Sequence, residues 1–277
     1  MSFNLNSNIE MFYIENQDNL NMLNHFHTKH EVIYIMEGCS TFHINNKEYI
    51  CESGDIIFIS NLESHDVKIN EYPYKRFFML IDPKYLQITL KYPQLTSIFK
   101  HRPEHFSHVI KLNIEHKEAF TNLLQNMNLE FNSKLEYAEE KISSYIQFLT
   151  IELFRNYKSY FPISFINKTT ESILKIQNYI EEHYTEDINL EEISKEFYIS
   201  MYYLSHQFKK VTGFSFKEYI ILQRLIKAKE LLFHSPKDIT NIATECGFNS
   251  INNFIKFFKR YNEITPSQYR KKYFNDI

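Results

Sequence analysis

Glycine is scarce in this chain, with four in 277 residues, and tryptophan is absent. A residue so rare is kept where no other fits, which makes Gly38, Gly54, Gly213 and Gly247 informative positions. Cysteine is rarer still. Cys39, Cys51 and Cys246 are scattered and odd in number, which argues against a paired disulfide framework and against a zinc spacing. They read as reduced, small, buried residues. No run approaches the ~20 apolar residues of a membrane helix, and the N-terminal stretch MSFNLNSNIEMFYIE has no basic segment followed by an apolar core. The expectation is a soluble, cytoplasmic protein with no membrane partner. An excess of positive charge is missing too. A formal net charge of −3 gives no bulk reason for a nucleic-acid partner, so such a role must rest on local charge.

What is present is globular composition, 43% hydrophobic and 23% charged. From Met11 to about Ile81 short β-type runs (VIYIM, CSTFHIN, KEYICE, GDIIFIS, HDVKIN, KRFFMLI) alternate with turn signals such as Asn45-Asn46 and Ser53-Gly54. Many short strands at close spacing imply an antiparallel barrel or sandwich. After Asp82-Pro83 the period becomes helical, most clearly in HKEAFTNLLQNMNLEF and EYAEEKISSYIQFLTIELFRNY. Ile142, Tyr145, Ile146, Leu149 and Leu153 form one apolar stripe on the second of these. It serves either as a lid on the barrel or as a dimer seam, and the seam is favoured. KSYFPISFINKTT, broken at Pro162, reads as the boundary between a domain over 1–160 and one over 171–277.

The C-terminal part reads as short helices and tight turns. One helix from about Asn189 breaks near Tyr198-Ile199. Ser200 then caps a second, which ends at Gly213. The scheme repeats with a helix from Pro236 to Glu245, a turn at Gly247, Ser250 as cap and a helix to about Tyr261; FKEYIILQRLIKAKELLFHS joins the two units. This is a duplicated helix-turn-helix. Charge is also locally sorted. Cys246 to Lys272 carries Lys256, Lys259, Arg260, Arg270, Lys271 and Lys272 against Glu263 alone.

The run Ile239, Ile242-Ala243, Gly247-Phe248, Ser250, Phe254, Phe258-Lys259, Thr265-Pro266 and Tyr269-Arg270 resembles the signature of AraC/XylS-type transcription regulators. Leu190, Ile193, Ser200, Leu204, Phe208, Lys209, Gly213 and Phe216 fit the first unit to the same pattern. One departure is Glu263, where the family usually has glycine. The resemblance implies two recognition helices presented to successive major-groove segments about 34 Å apart. Its base-facing positions fall on Tyr202, Ser205 and His206, and on Ile251, Asn252 and Lys256. Asn252 suits adenine, Lys256 suits guanine, and Ile251 suits a thymine methyl. Lys209, Lys210, Ser250, Lys259 and Arg260 suit phosphates.

In the N-terminal part His25, His27, Glu31 and Gly38, then Gly54 and His65, resemble both cupin motifs, with the glycines at strand turns. The implied fold class is α+β, an antiparallel cupin-like β-barrel with flanking helices followed by an all-α domain. His25, His27, Glu31, Phe42 and His65 are the candidate effector-binding residues. His25, His27, Glu31 and His65 could instead hold a divalent metal, the basis of an alternative reading as a metal-dependent cupin enzyme with an appended nucleic-acid module. The expectation is a non-enzymatic regulator, chiefly an activator, with no cofactor. Its expected partners are promoter DNA, RNA polymerase, a small-molecule effector and a second copy of itself.

Overall fold

The computed structural model describes residues 8–16, 22–25, 28–45, 47–133, 135–163 and 166–274. The chain divides into two compact units, Met1–Lys100 with Phe106–Phe165 and His101–His105 with Ile166–Ile277.

In the first unit, β1 (Ile9–Asn16), β2 (Met22–His25), β3 (His30–Ile44), β4 (Lys47–Glu52), β5 (Asp55–Ile59), β6 (His65–Ile81) and β7 (Val109–Lys111) form a seven-stranded sheet among the described residues. Its order is β1-β6-β3-β5-β7, with β2 beside β6 and β4 beside β3. Every pairing is antiparallel. Two strands are longer than the sequence pattern suggests. VIYIM and CSTFHIN belong together to β3, and HDVKIN and KRFFMLI to β6. The β3–β6 register shifts between Glu37 and Cys39, so at Gly38 the strand bends through an irregularity instead of ending in the expected turn. Gly54 does lie in a turn, between β4 and β5.

Neighbouring residues of β3 serve opposite cores, which is why its sequence is apolar without alternation. Ile33, Ile35, Phe42 and Ile44 join Ile57, Ile59 and Val67 in one buried cluster. Val32 and Tyr34 join Phe58, Phe77 and Met79 in another, against helices α1 (Pro83–Thr89), α2 (Pro93–Lys100), α3 (Ile114–Ser133) and α4 (Ala138–Asn156). Here the dimer-seam reading is corrected. Ile142, Ile146, Leu149 and Leu153 are buried in this second cluster and Tyr145 packs against it, so the stripe covers the chain's own sheet.

The second unit holds α5 (Lys168–His183), α6 (Leu190–Glu196), α7 (Met201–Thr212), α8 (Phe216–His234), α9 (Ile239–Glu245), α10 (Ile251–Asn262) and α11 (Pro266–Phe274). The duplication appears in the lengths. α6 and α9 have seven residues each, and α7 and α10 have twelve. Helix α9 starts three residues later than Pro236, because the Asp238 side chain accepts from Asn241 N and caps it there. The nineteen-residue α8 joins the pair and opens with a capping box of Ser215 and Glu218.

All three cysteines are free and buried. Burial pushes the Cys51 and Cys246 thiols up to about 12, so neither offers a thiolate near neutral pH. In the folded chain both are expected to escape a thiolate-directed alkylating agent, and all three cysteines to react after denaturation. Adduct counting by mass spectrometry checks this, and rapid native labelling of Cys246 would contradict the packing.

Candidate nucleic-acid interface and effector site

Helix α7 sorts its residues by face. Leu204, Phe208 and Thr212 recur every four residues and are buried, whereas Tyr202, Ser205, His206, Lys209 and Lys210 are exposed. Its N-terminus is fixed by Ser200, whose side chain accepts from Tyr203 N. Helix α10 repeats the arrangement. Phe254 and Phe258 are fully buried, and Asn252, Lys256, Lys259 and Arg260 are exposed. Ile251 is partly buried against the unit's core, and Ser250 takes the N-cap position with no side-chain cap bond. The Tyr261 hydroxyl donates to Glu218 Oε1 at 3.1 Å, tying α10 to α8. Burial and that carboxylate push the phenol up to about 12, so the link stays protonated near neutral pH. Arg270 has a structural task, donating to Lys237 O at 2.6 Å.

Both helix-turn-helix turns close in the same way. Ile199 N donates to Ser194 O and Tyr198 N to Lys195 O; in the second unit Phe248 N donates to Ala243 O and Gly247 N to Thr244 O. This pair of bonds demands a left-handed residue after the helix end. Gly247 meets the demand at φ +84°, and a Cβ there would lie 2.4 Å from Thr185 O. Gly213 closes α7 at φ +87°, where a Cβ would lie 2.0 Å from Arg102 O. The matching slots hold Tyr198 at φ +53° and Glu263 at φ +62°. Glycine is therefore retained where another backbone crowds the turn.

In the first unit Glu31 Oε2 lies 3.0 Å from His65 Nε2, and both side chains are buried. Phe42 belongs to the sheet's interior cluster. His25 pairs with His65 in the β2–β6 register, but its side chain and all of His27 lie outside the described residues. Among the described residues no group of three or more His, Cys, Asp or Glu is placed to hold a metal.

A second buried polar chain has no signal in the sequence. His108 Nε2 lies 2.7 Å from Glu63 Oε1 and its Nδ1 2.8 Å from the Tyr49 hydroxyl, while Glu63 Oε2 accepts from Ser60 N at 2.8 Å and Oε1 from Asn45 Nδ2 at 3.2 Å. The set is satisfied when His108 donates from Nε2 and accepts from the tyrosine. The bonds to Glu63 offset the cost of burying a carboxylate. Tyr49 and Glu63 stand 59 and 45 residues from His108, and no local pattern joins them.

Two helices of equal length, each with buried residues four positions apart and an outward polar face, define a helix-turn-helix protein of the duplicated kind. Residues 193–272 match the helix-turn-helix domain family and residues 8–145 the AraC-like ligand-binding domain family. The chain belongs to the AraC family of transcriptional regulators. It is 36% identical over 113 residues to the regulatory protein PocR of Salmonella typhimurium, a match covering 38% of this chain and 37% of PocR. It is 24% identical over 255 residues to the transcriptional activator RhaS of Enterobacter, covering 89% and 87%. Among solved structures, ToxT from Vibrio cholerae has the same fold with a TM-score of 0.60, at 17% identity over 96% of this chain and 97% of that one. No helix among the described residues is long and apolar enough to cross a membrane.

Proposed function

We propose that the chain is an effector-controlled, sequence-specific transcription activator that acts as a homodimer on promoter DNA with RNA polymerase in the cytoplasm. Residues 1–160 sense a small molecule and residues 171–277 bind DNA. The observation that carries this reading is the outward face that each of α7 and α10 presents, with Tyr202, Ser205 and His206 exposed beside Lys209 on the first and Asn252 and Lys256 beside Lys259 and Arg260 on the second. Asn252 pairs with adenine and Lys256 with guanine; the exposed remainder of Ile251 packs on a thymine methyl, and Ser250 and the flanking cations hold phosphates. The sensing role draws support from the buried Glu31–His65 pair beside the apolar interior that holds Phe42. RhaS is an activator by name, and one ToxT structure holds an unsaturated fatty acid. Neither protein assigns an effector to this chain.

Titrations of the full chain against its selected duplex and a random one separate the roles. Asn252→Ala should weaken specific binding by about 1–3 kcal/mol and relax one base pair. Lys259→Ala should weaken both duplexes alike and lower the salt slope by about 1. Equal affinity of Asn252→Ala and wild type on both duplexes would refute the assigned face. For the sensing role, a metabolite that raises the unfolding temperature of the full chain should lose that effect in Glu31→Gln. A library giving no shift at all would count against a small-molecule effector.

A further inference from the structure

The two turns are built alike and filled differently. Gly247 holds its slot because Thr185 O leaves no room for a Cβ. Tyr198 takes the same left-handed backbone, at φ +53°, with a phenol attached. A bulky side chain is strained in that conformation. The ring returns nothing to the fold, being 97% exposed, with no side-chain partner among the described residues. Strain held without packing points outward, to what the unit binds.

The surroundings narrow the partner. Met201 and Tyr202 follow at 49% and 84% exposure, so the leading end of α7 presents an aromatic, uncharged surface. From Phe197 to His206 there is no lysine or arginine; the cations Lys209 and Lys210 lie at the trailing end. In a helix-turn-helix the first helix crosses the sugar–phosphate backbone and the second puts its N-terminal residues on base edges, so the turn between α6 and α7, which holds Tyr198, falls at the groove edge. With no cation in that stretch, and with Lys195 before the turn paired to Glu191 at 2.7 Å, a phosphate is met there by neutral donors, and a tyrosine hydroxyl is one that proteins use on phosphates.

We infer that Tyr198 is a DNA-backbone contact. Its hydroxyl donates to a phosphate oxygen at the groove edge where α7 enters, and its ring packs on the adjoining sugar. This rests on the DNA-binding reading above and adds to the face of α7 a residue that lies outside the helix. It anchors the first unit without reading a base, as Lys259 does for the second.

The test uses the full chain, a duplex enriched by the wild-type chain from a random pool, and one arbitrary duplex. Tyr198→Gly relieves the backbone strain and removes the ring, while Tyr198→Phe keeps the ring and removes the donor. Tyr198→Gly should unfold no earlier than wild type, and both variants should bind both duplexes about tenfold more weakly, the size of a lost hydrogen bond to a charged group. Wild-type affinity in either variant overturns the contact, as does a loss confined to the enriched duplex, which would make Tyr198 a base reader. An earlier unfolding of Tyr198→Gly would make the ring structural and overturn it too. A wild-type chain that binds neither duplex removes the DNA-binding reading, and this contact with it.

Discussion

Phe258→Ala is expected to unfold the second helix-turn-helix unit under mild conditions, at a cost of about 3–5 kcal/mol. Phe258 is fully buried, with its ring centroid 5.6 Å from that of Phe254 and 5.5 Å from that of Tyr269. Leu225, Leu232 and Ile242 complete the same cluster from α8 and α9. Removing the ring leaves a void that three helices would have to close together, and packed interiors relax only partly. A domain is stable by about 5–15 kcal/mol, so this loss takes a large share of it. Urea unfolding of the full chain, followed by helical circular dichroism, measures the effect. A cost below about 1 kcal/mol would mean that α10 is not held by this face.

Gly247→Ala is expected to destabilise the same unit by roughly 2–5 kcal/mol, from the left-handed conformation together with overpacking. The new Cβ would lie 2.4 Å from Thr185 O, and backbone cannot yield as the tip of a side chain can. The clash matters more than the strain, because Tyr198 and Glu263 accept the same backbone region. The matched experiment is Tyr198→Gly, which relieves φ +53° in the equivalent slot of the first unit and should not lower stability. If Gly247→Ala cost no more than a few tenths of a kcal/mol, the crowding of this turn would be wrong.

The DNA-binding half was legible because its signals are local. Buried residues every four positions on α7, the cap at Ser200 and the glycine that ends α7 all act within a few residues of where they are read. Pro236 misled because a proline suits a helix start, while the capping bond belongs to Asp238. Tyr198 reads in sequence only as part of a helix break, since nothing in its neighbours announces a left-handed residue that is not glycine. The sheet half was legible as short β-type runs between turn signals and opaque in its connections. Gly38 looks like a turn in sequence and lies at a bend within β3, since a register shift depends on the partner strand. The stripe on α4 could be read as apolar, but sequence does not say which surface covers it. Of the effector candidates, the structure joins Glu31 to His65. The Tyr49–His108–Glu63 chain was invisible because only the β5–β7 pairing brings His108 back to the sheet.

If one chain reads DNA with two helices of the same build, its preferred site is bipartite, and selection of duplexes from a random pool by the full chain, followed by sequencing, reveals that site. The enriched sequences should hold two short boxes with centres about 34 Å, or one helical turn, apart. One box should lose definition in Asn252→Ala and the other in Ser205→Ala. An enriched set with a single box, or none that survives moderate salt, would contradict reading by two helices.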